Sequence, residues 1–292
     1  MRFLLIIRSM RFLNGAELRD FIKERQAKQV RALRQSWRVF PKLVIFYSSK
    51  SPVTETYMRL KEKYGEDILI EVERRKVDAE LMKEEIQKAN LDENVHGIIV
   101  QLPLENKSGE KLSKNETEAI LSEISKEKDV DGLNGGDFVP ATAQAINWLL
   151  AGYNISLEGK KVAVVGQGRL VGAPLSKMLE KSGVMVSKFD EFNSEEMVKT
   201  LKDFDVVITA VGKPGLITSE MLKSKAVVVD AGTASEGGEI KGDVSDEVRK
   251  NRKDLTITPI KGGVGPLTVA SLIDNVNIAA RKVADQKGQQ DL

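Results

Sequence analysis

Cysteine is absent from the 292-residue chain, which excludes disulfides, thiolate metal sites and a cysteine nucleophile. Histidine occurs once, at His96. No multi-histidine metal site can form, so no metal is expected. Because His96 lies just before the apolar run Gly97-Ile-Ile-Val-Gln101, it reads as a structural residue. Charge of one sign is also missing: 45 basic and 43 acidic residues leave a formal net charge of +2, and nothing in that balance calls for nucleic acid. Long hydrophobic runs are absent near the start. Phe3-Leu-Leu-Ile-Ile7, between Arg2 and Arg8, is too short for a membrane span or a signal-peptide core. A cytoplasmic protein with no membrane partner is expected, and any catalysis must use Lys, Tyr, Asp, Glu or a cofactor.

What is present is ordinary for a soluble protein, 41% hydrophobic and 30% charged, with acids and bases interspersed. The length accommodates one large or two medium domains. Organised sequence begins at Phe12-Leu-Asn-Gly15, so Met10 as well as Met1 is a candidate start. A charged, helix-favouring stretch covers 16–36 and a strand Lys42–Tyr47. Ser51-Pro52 then opens a helix, since serine caps the first amides and proline is tolerated at the first helical position. A strand is expected over 68–76, an amphipathic helix over 77–90, a strand over Gly97–Gln101 ending in the turn Leu102-Pro103-Leu104, and a helix over 141–151. The last helix is expected from Val269 to about Asp285, with the tail Gln286–Leu292 frayed.

The run Lys161-Val-Ala-Val-Val165 followed by Gly166-Gln167-Gly168-Arg169-Leu170-Val171-Gly172 has the form of a strand delivering a glycine turn into a helix. A dinucleotide pyrophosphate suits such a turn, because glycines permit close approach and the helix start favours an anion. The spacing is looser than the usual fingerprint, and such turns also occur without a ligand. Asp205-Val-Val-Ile-Thr-Ala-Val211-Gly212 and Ala226-Val-Val-Val229-Asp230 read as further buried strands, with helical segments between. Alternation of this kind builds a doubly wound parallel sheet whose ligands lie at the strands' carboxyl ends. Asp190 and Glu191 follow the run Val184–Phe189, about 20 residues beyond the glycine turn, where an acid can accept from the ribose hydroxyls of NAD; they can equally open a solvated loop.

Tyr57 and Lys61 project from one face of the helix opened by Ser51-Pro52, an arrangement that by itself is also common surface decoration. Gln101 ends a strand, and Lys128-Asp-Val-Asp131-Gly132 is a polar turn.

In order, the segments Pro52–Lys63, Gly97–Leu104, Lys128–Gly132, Val165–Pro174 and Pro259-Ile-Lys-Gly-Gly-Val-Gly265-Pro266-Leu-Thr268 resemble the bifunctional methylenetetrahydrofolate dehydrogenase/methenyltetrahydrofolate cyclohydrolase family, and the resemblance runs from about Asn14 to Ala280. It implies an α/β chain of two domains: a folate-binding catalytic domain over 1–150, completed by the helix 267–292, and a doubly wound Rossmann-type domain over 151–266, with the active-site cleft between them. Hydride leaves 5,10-methylenetetrahydrofolate for the nicotinamide, and water opens the methenyl cation to 10-formyltetrahydrofolate. On that pattern Lys61 matches the catalytic lysine, its pKa lowered in a partly dry cleft beside a cationic substrate. Gln101 matches the residue that tunes the lysine, Tyr57 the one that packs on the folate, and Asp131 the acid that pairs with the pterin ring. Leu104, Gly265 and Pro266 are implied in the substrate site. Gly166, Gln167, Gly168, Arg169, Val171, Gly172, Asp190, Glu191, Val211, Gly212 and Thr233 are implied in the cofactor site. A homodimer through the cofactor domain is implied by the family alone.

The chain departs from the family's pattern where it matters for the cofactor. Gly166-Gln167-Gly168 stands where Gly-Arg-Ser is common, and Asp190-Glu191 where a His-Ser loop is common. Losing a cation and gaining carboxylates disfavours a 2′-phosphate, so of NAD and NADP the local residues lean to NAD, although Arg169 can supply a cation. Two other readings stay open: a dehydrogenase-only NAD-specific member, and a catalytically silent folate- or nucleotide-binding protein.

Overall fold

The computed structural model describes residues 10–49, 51–236 and 239–290. The apolar run Phe3–Ile7, its flanking Arg2 and Arg8, and Met1 lie outside the described residues. Two compact units form. One comprises the residues up to Leu18 together with Thr142–Leu267, the other Arg19–Ala141 together with the chain from Thr268.

The first unit holds a parallel sheet ordered Arg11–Phe12, Thr256–Ile257, Val227–Asp230, Val206–Thr209, Val162–Val165, Val186–Phe189. The three strands Val162–Val165, Val206–Thr209 and Val227–Asp230 are rich in β-branched residues and buried almost throughout. Helix-covered parallel strands are buried on both faces, so they show no polar alternation. Counted from Val162 onward, the spatial order is 2-1-3-4-5, the doubly wound arrangement whose switch point falls between Val162–Val165 and Val206–Thr209. Its core includes Ala163, Val165, Phe189, Val207, Val228 and Ile257, with Phe189 and Phe204 edge to face at 5.7 Å. The edge strand Arg11–Phe12 was not anticipated. Two residues carry no periodicity, and it exists because Leu13 N–H reaches Ile257 O at 2.9 Å. All but Ala141 of the helix Ala141–Gly152 also belongs here; a Cβ on Gly152 would come within 2.6 Å of Leu18.

The second unit is built on the three-stranded parallel sheet Glu71–Lys76, Lys42–Tyr47, Gly97–Val100. Its core gathers Val44, Phe46, Met82, Ile86, Ile98 and Ile120. A buried polar knot ties three helices: Tyr64 Oη donates to Gln26 Oε1 at 2.8 Å, and Gln26 Nε2 donates to Ala270 O at 2.8 Å and Asp274 Oδ1 at 2.9 Å. His96 is buried, its Nδ1 accepting the Lys42 N–H at 3.3 Å, and burial, assisted by Lys128, pushes its pKa down to about 4. The helix Lys114–Leu121 was not anticipated, although Ser113 and Glu116 form a full capping box at its start. The final helix runs Val264–Gln290, five residues earlier and five later than expected. The helix takes in the tail as far as Gln290; at Gly288 a Cβ would lie 2.6 Å from the Trp37 ring. Leu292 lies outside the described residues.

Candidate active site

Lys61 stands on the helix Pro52–Asp67, which begins as its sequence dictates. Ser51 Oγ accepts the Thr54 N–H at 3.1 Å and proline fills the first turn. Gln101 leaves the strand Gly97–Val100 with its N–H on Phe46 O at 2.8 Å. Lys61 Nζ donates to Gln101 Oε1 at 2.8 Å, while Gln101 Nε2 donates to Leu102 O at 3.2 Å. Using both ends of the amide in this way orients its oxygen toward the amine. Residues distant in sequence are thus brought into contact.

Asp131 enters the same neighbourhood from the turn Val130–Gly132. That turn is held from several sides. Ile98 N–H donates to Lys128 O at 2.7 Å, and Asn275 Nδ2 donates to Val130 O at 2.8 Å and Val139 O at 3.0 Å. Gly132 has φ +73°, and a Cβ there would lie 2.7 Å from Phe138 O, so glycine is required. Burial lowers the Lys61 amine below its usual value, and the Asp131 carboxylate opposes that shift. Burial raises Asp131, Lys61 opposes, and Asp129 adds to the rise. An amine that sheds its proton more readily is a better proton acceptor near neutral pH. Tyr57, half-buried, lies one turn before Lys61. Leu104 is 1% exposed, its side chain within the core.

The cofactor candidates lie in the other unit, at the carboxyl ends of the parallel strands. Gly166 has φ +91°, and a Cβ there would lie 2.7 Å from Ala210 O; one on Gly172 would lie 1.6 Å from Gly166 O. Both glycines are sterically obligatory. Gly168, by contrast, has open space above it, and the helix Gly172–Lys181 starts just beyond. A glycine cradle with room over it, at the switch point and facing a helix N-terminus, fits a dinucleotide pyrophosphate. Gln167 turns inward: its Nε2 donates to Val164 O at 3.0 Å and its Oε1 accepts from Ser176 Oγ at 3.2 Å. Asp190 follows the strand Val186–Phe189, with Oδ1 accepting the Phe192 N–H at 2.9 Å, and Glu191 is exposed. Val211, Gly212 and Thr233 are exposed at neighbouring strand ends, and Arg169 and Val171 are half-buried in the glycine turn.

Gly265 and Pro266 form the first turn of the helix Val264–Gln290 rather than a turn preceding it, and they fall in the parallel-sheet unit. Among the described residues no group of three or more His, Asp or Glu could hold a metal ion, and no helix is long and apolar enough to cross a membrane. Sequence reading overlooked Asp243 and Asn275. Neither carried a local signal: the glycine that makes room for Asp243 is Gly232, eleven residues earlier, and Asn275 sits in an apolar helical stretch.

Known proteins match this arrangement along nearly its whole length. The catalytic domain of tetrahydrofolate dehydrogenase/cyclohydrolase matches residues 13–131, and the NAD(P)-binding domain of the same family matches 140–284. The bifunctional protein FolD of Macrococcus caseolyticus is 35% identical over 286 residues, covering 92% of this chain and 97% of that protein. The crystal structure of the bifunctional FolD enzyme from Campylobacter jejuni is similar with a TM-score of 0.84 at 31% identity, covering 94% of this chain and 99% of that one. The Trypanosoma brucei enzyme, complexed with NADP and an inhibitor, has a TM-score of 0.85 at 28% identity, covering 94% and 98%.

Proposed function

The chain belongs to the tetrahydrofolate dehydrogenase/cyclohydrolase family, and from that premise we propose how its residues divide the work. It is a bifunctional enzyme that oxidises 5,10-methylenetetrahydrofolate with NAD(P) and hydrolyses the methenyl product to 10-formyltetrahydrofolate. Folate chemistry is assigned to the span 1–150 with 267–292, and cofactor binding to 151–266. The observation that carries the assignment of roles is the 2.8 Å contact between Lys61 Nζ and Gln101 Oε1, with Asp131 electrically coupled to the same amine.

A bound nicotinamide supplies the hydride acceptor. The chain's part in that step is positioning, since the folate nitrogen lone pair assists departure of the hydride and no protein acid or base is needed. For hydrolysis, Lys61 in its neutral form takes a proton from the water that attacks the methenyl carbon. Gln101 holds the amine in place, Tyr57 packs on the folate, and Asp131 accepts two pterin N–H groups. Leu104, buried in the core of the same unit, supports the folate site through the position of its turn. The intact Lys61–Gln101 contact disfavours a dehydrogenase-only or silent protein.

Gly166, Gly168, Val171 and Gly172 hold the pyrophosphate, and Val211, Gly212 and Thr233 border the rest of the dinucleotide. NAD is favoured over NADP: Gln167 is committed to Val164 O and Ser176, and Asp190 and Glu191 would repel a 2′-phosphate. Arg169 is the cation that opposes this preference. A homodimer through the cofactor unit suits the exposed edge strand Val186–Phe189, beside which Met185 and Phe192 are 86% and 89% exposed. A cytoplasmic location is assigned on the same reading.

The test supplies 5,10-methylenetetrahydrofolate with either NAD or NADP and follows reduced nicotinamide and methenyl absorbance separately. Reduction of NAD with little methenyl accumulation is expected. A preference for NADP overturns the role given to Asp190, and no reduction with either overturns the activity.

A further inference from the structure

A buried pair of carboxylates in the parallel-sheet unit takes no part in the chemistry above. Asp243 is 0% exposed. Its Oδ2 accepts from Thr209 Oγ1 at 2.6 Å and from the Val211 N–H at 2.8 Å, and its Oδ1 accepts from the Lys213 N–H at 2.7 Å. Thr209 is the last residue of its strand, and Val211–Lys213 is the exposed turn that follows. This turn forms one side of the switch point, opposite the glycine turn; a Cβ on Gly166 would lie 2.9 Å from Val211 Cγ2. A surface turn is therefore suspended from a buried anion.

Asp243 is itself held. Asp230 Oδ1 accepts the Asp243 N–H at 3.0 Å and the Gly232 N–H at 3.1 Å, and its Oδ2 accepts the Val244 N–H at 3.0 Å and Arg249 Nη2 at 2.8 Å. Both members of that ion pair are buried. Glycines make the space for both acids. A Cβ on Gly232 would lie 2.2 Å from the Asp243 carboxyl, and one on Gly242 would lie 2.1 Å from Asp230 Oδ2. Ion pair, carboxylate and turn thus form one continuous chain of bonds from Arg249 to Val211.

We propose that Asp243 is the positioning residue of the cofactor turn Val211–Lys213, holding it at the spacing from the Gly166 turn that a dinucleotide requires. The proposal rests on the reading of Val211 and Gly212 as cofactor-binding residues. Residues 211–215 are all exposed, so little packing of their own fixes them, and the bonds to Asp243 do. A carboxylate is needed because three donors converge on two acceptor oxygens. Asparagine offers one oxygen and sets an NH2 against a donor, leaving a backbone N–H unpaired.

The test compares Asp243→Asn and Thr209→Val with the unaltered full-length enzyme. It measures KM for the nicotinamide cofactor, dehydrogenase kcat, and hydrolysis of methenyltetrahydrofolate without nicotinamide. Asp243→Asn is expected to raise KM for the cofactor about 10-fold or more, and Thr209→Val about 3-fold, with hydrolysis within about 2-fold of the parent in both. An unchanged cofactor KM, or a parallel fall of both activities, overturns the proposal. If Asp243→Asn does not fold, Thr209→Val decides by the same split. Failure of the underlying reading looks different: the unaltered enzyme would then hydrolyse the methenyl substrate yet reduce neither NAD nor NADP.

Discussion

Asp131 and Asp243 occupy different units and are handled in opposite ways. Asp131 sits in a turn beside an amine, where burial and Asp129 raise its pKa and Lys61 lowers it. Asp243 has two backbone N–H groups and a hydroxyl on its oxygens and is completely enclosed. A carboxylate enclosed by the fold, with both oxygens bonded to its own chain, cannot be reached by a substrate, and its bonds serve to fix backbone. One held near a charge and exposed on part of its surface can exchange partners when a ligand arrives. The same side chain is thus the proposed ligand-facing group in one unit and a fastening in the other.

The most severe way to break this comparison is at the amine. Lys61→Met is expected to lower cyclohydrolase activity by about 100-fold or more while leaving appreciable hydride transfer; equal loss of both would show that Lys61 holds the folate site together rather than moving a proton. Asp131→Asn acts on the same site more gently, raising the KM for folate about 10-fold and leaving that for the nicotinamide unchanged. It also sharpens the electrostatic half of the argument. On the proposed role of Lys61, hydrolysis needs the neutral amine, so its rate should rise as pH increases through the lowered Lys61 pKa. The Asp131 carboxylate holds that proton on. Removing its charge should therefore move the rising limb of the cyclohydrolase pH profile to lower pH, and a shift to higher pH would contradict the coupling.

Asp190 lies between the two cases, with one oxygen already committed to the Phe192 N–H. Asp190→Ser is expected to give the smallest change, a several-fold gain in kcat/KM for NADP relative to NAD. No change in that ratio would leave Arg169 as the residue that sets the preference.

Much of this was legible in the chain before any coordinates. Apolar runs such as Lys42–Tyr47 and Lys161–Val165 announce buried parallel strands, and Ser51-Pro52 announces a helix start. Lys61, Gln101 and Asp131 stood out as candidates because they lie within ordered motifs, and the fold brings Lys61 and Gln101 into contact. The helix Lys114–Leu121 was harder, since Lys-Asn-Glu-Thr-Glu offers only weak apolar periodicity and the signal lay in the cap. Arg11–Phe12 was out of reach because a two-residue strand is defined by its neighbour. Asp243 was missed for a related reason: its importance comes from donors more than thirty residues away, at Thr209 and Val211.

Sequence alone determined the class of the fold and the helix start at Ser51-Pro52, because periodicity and capping are local properties. Tertiary structure decided that Lys61 meets Gln101, that Gln167 turns inward, and that Asp243 is buried under three donors. Contact and desolvation arise between segments far apart in the chain, and no local pattern encodes which of them will meet.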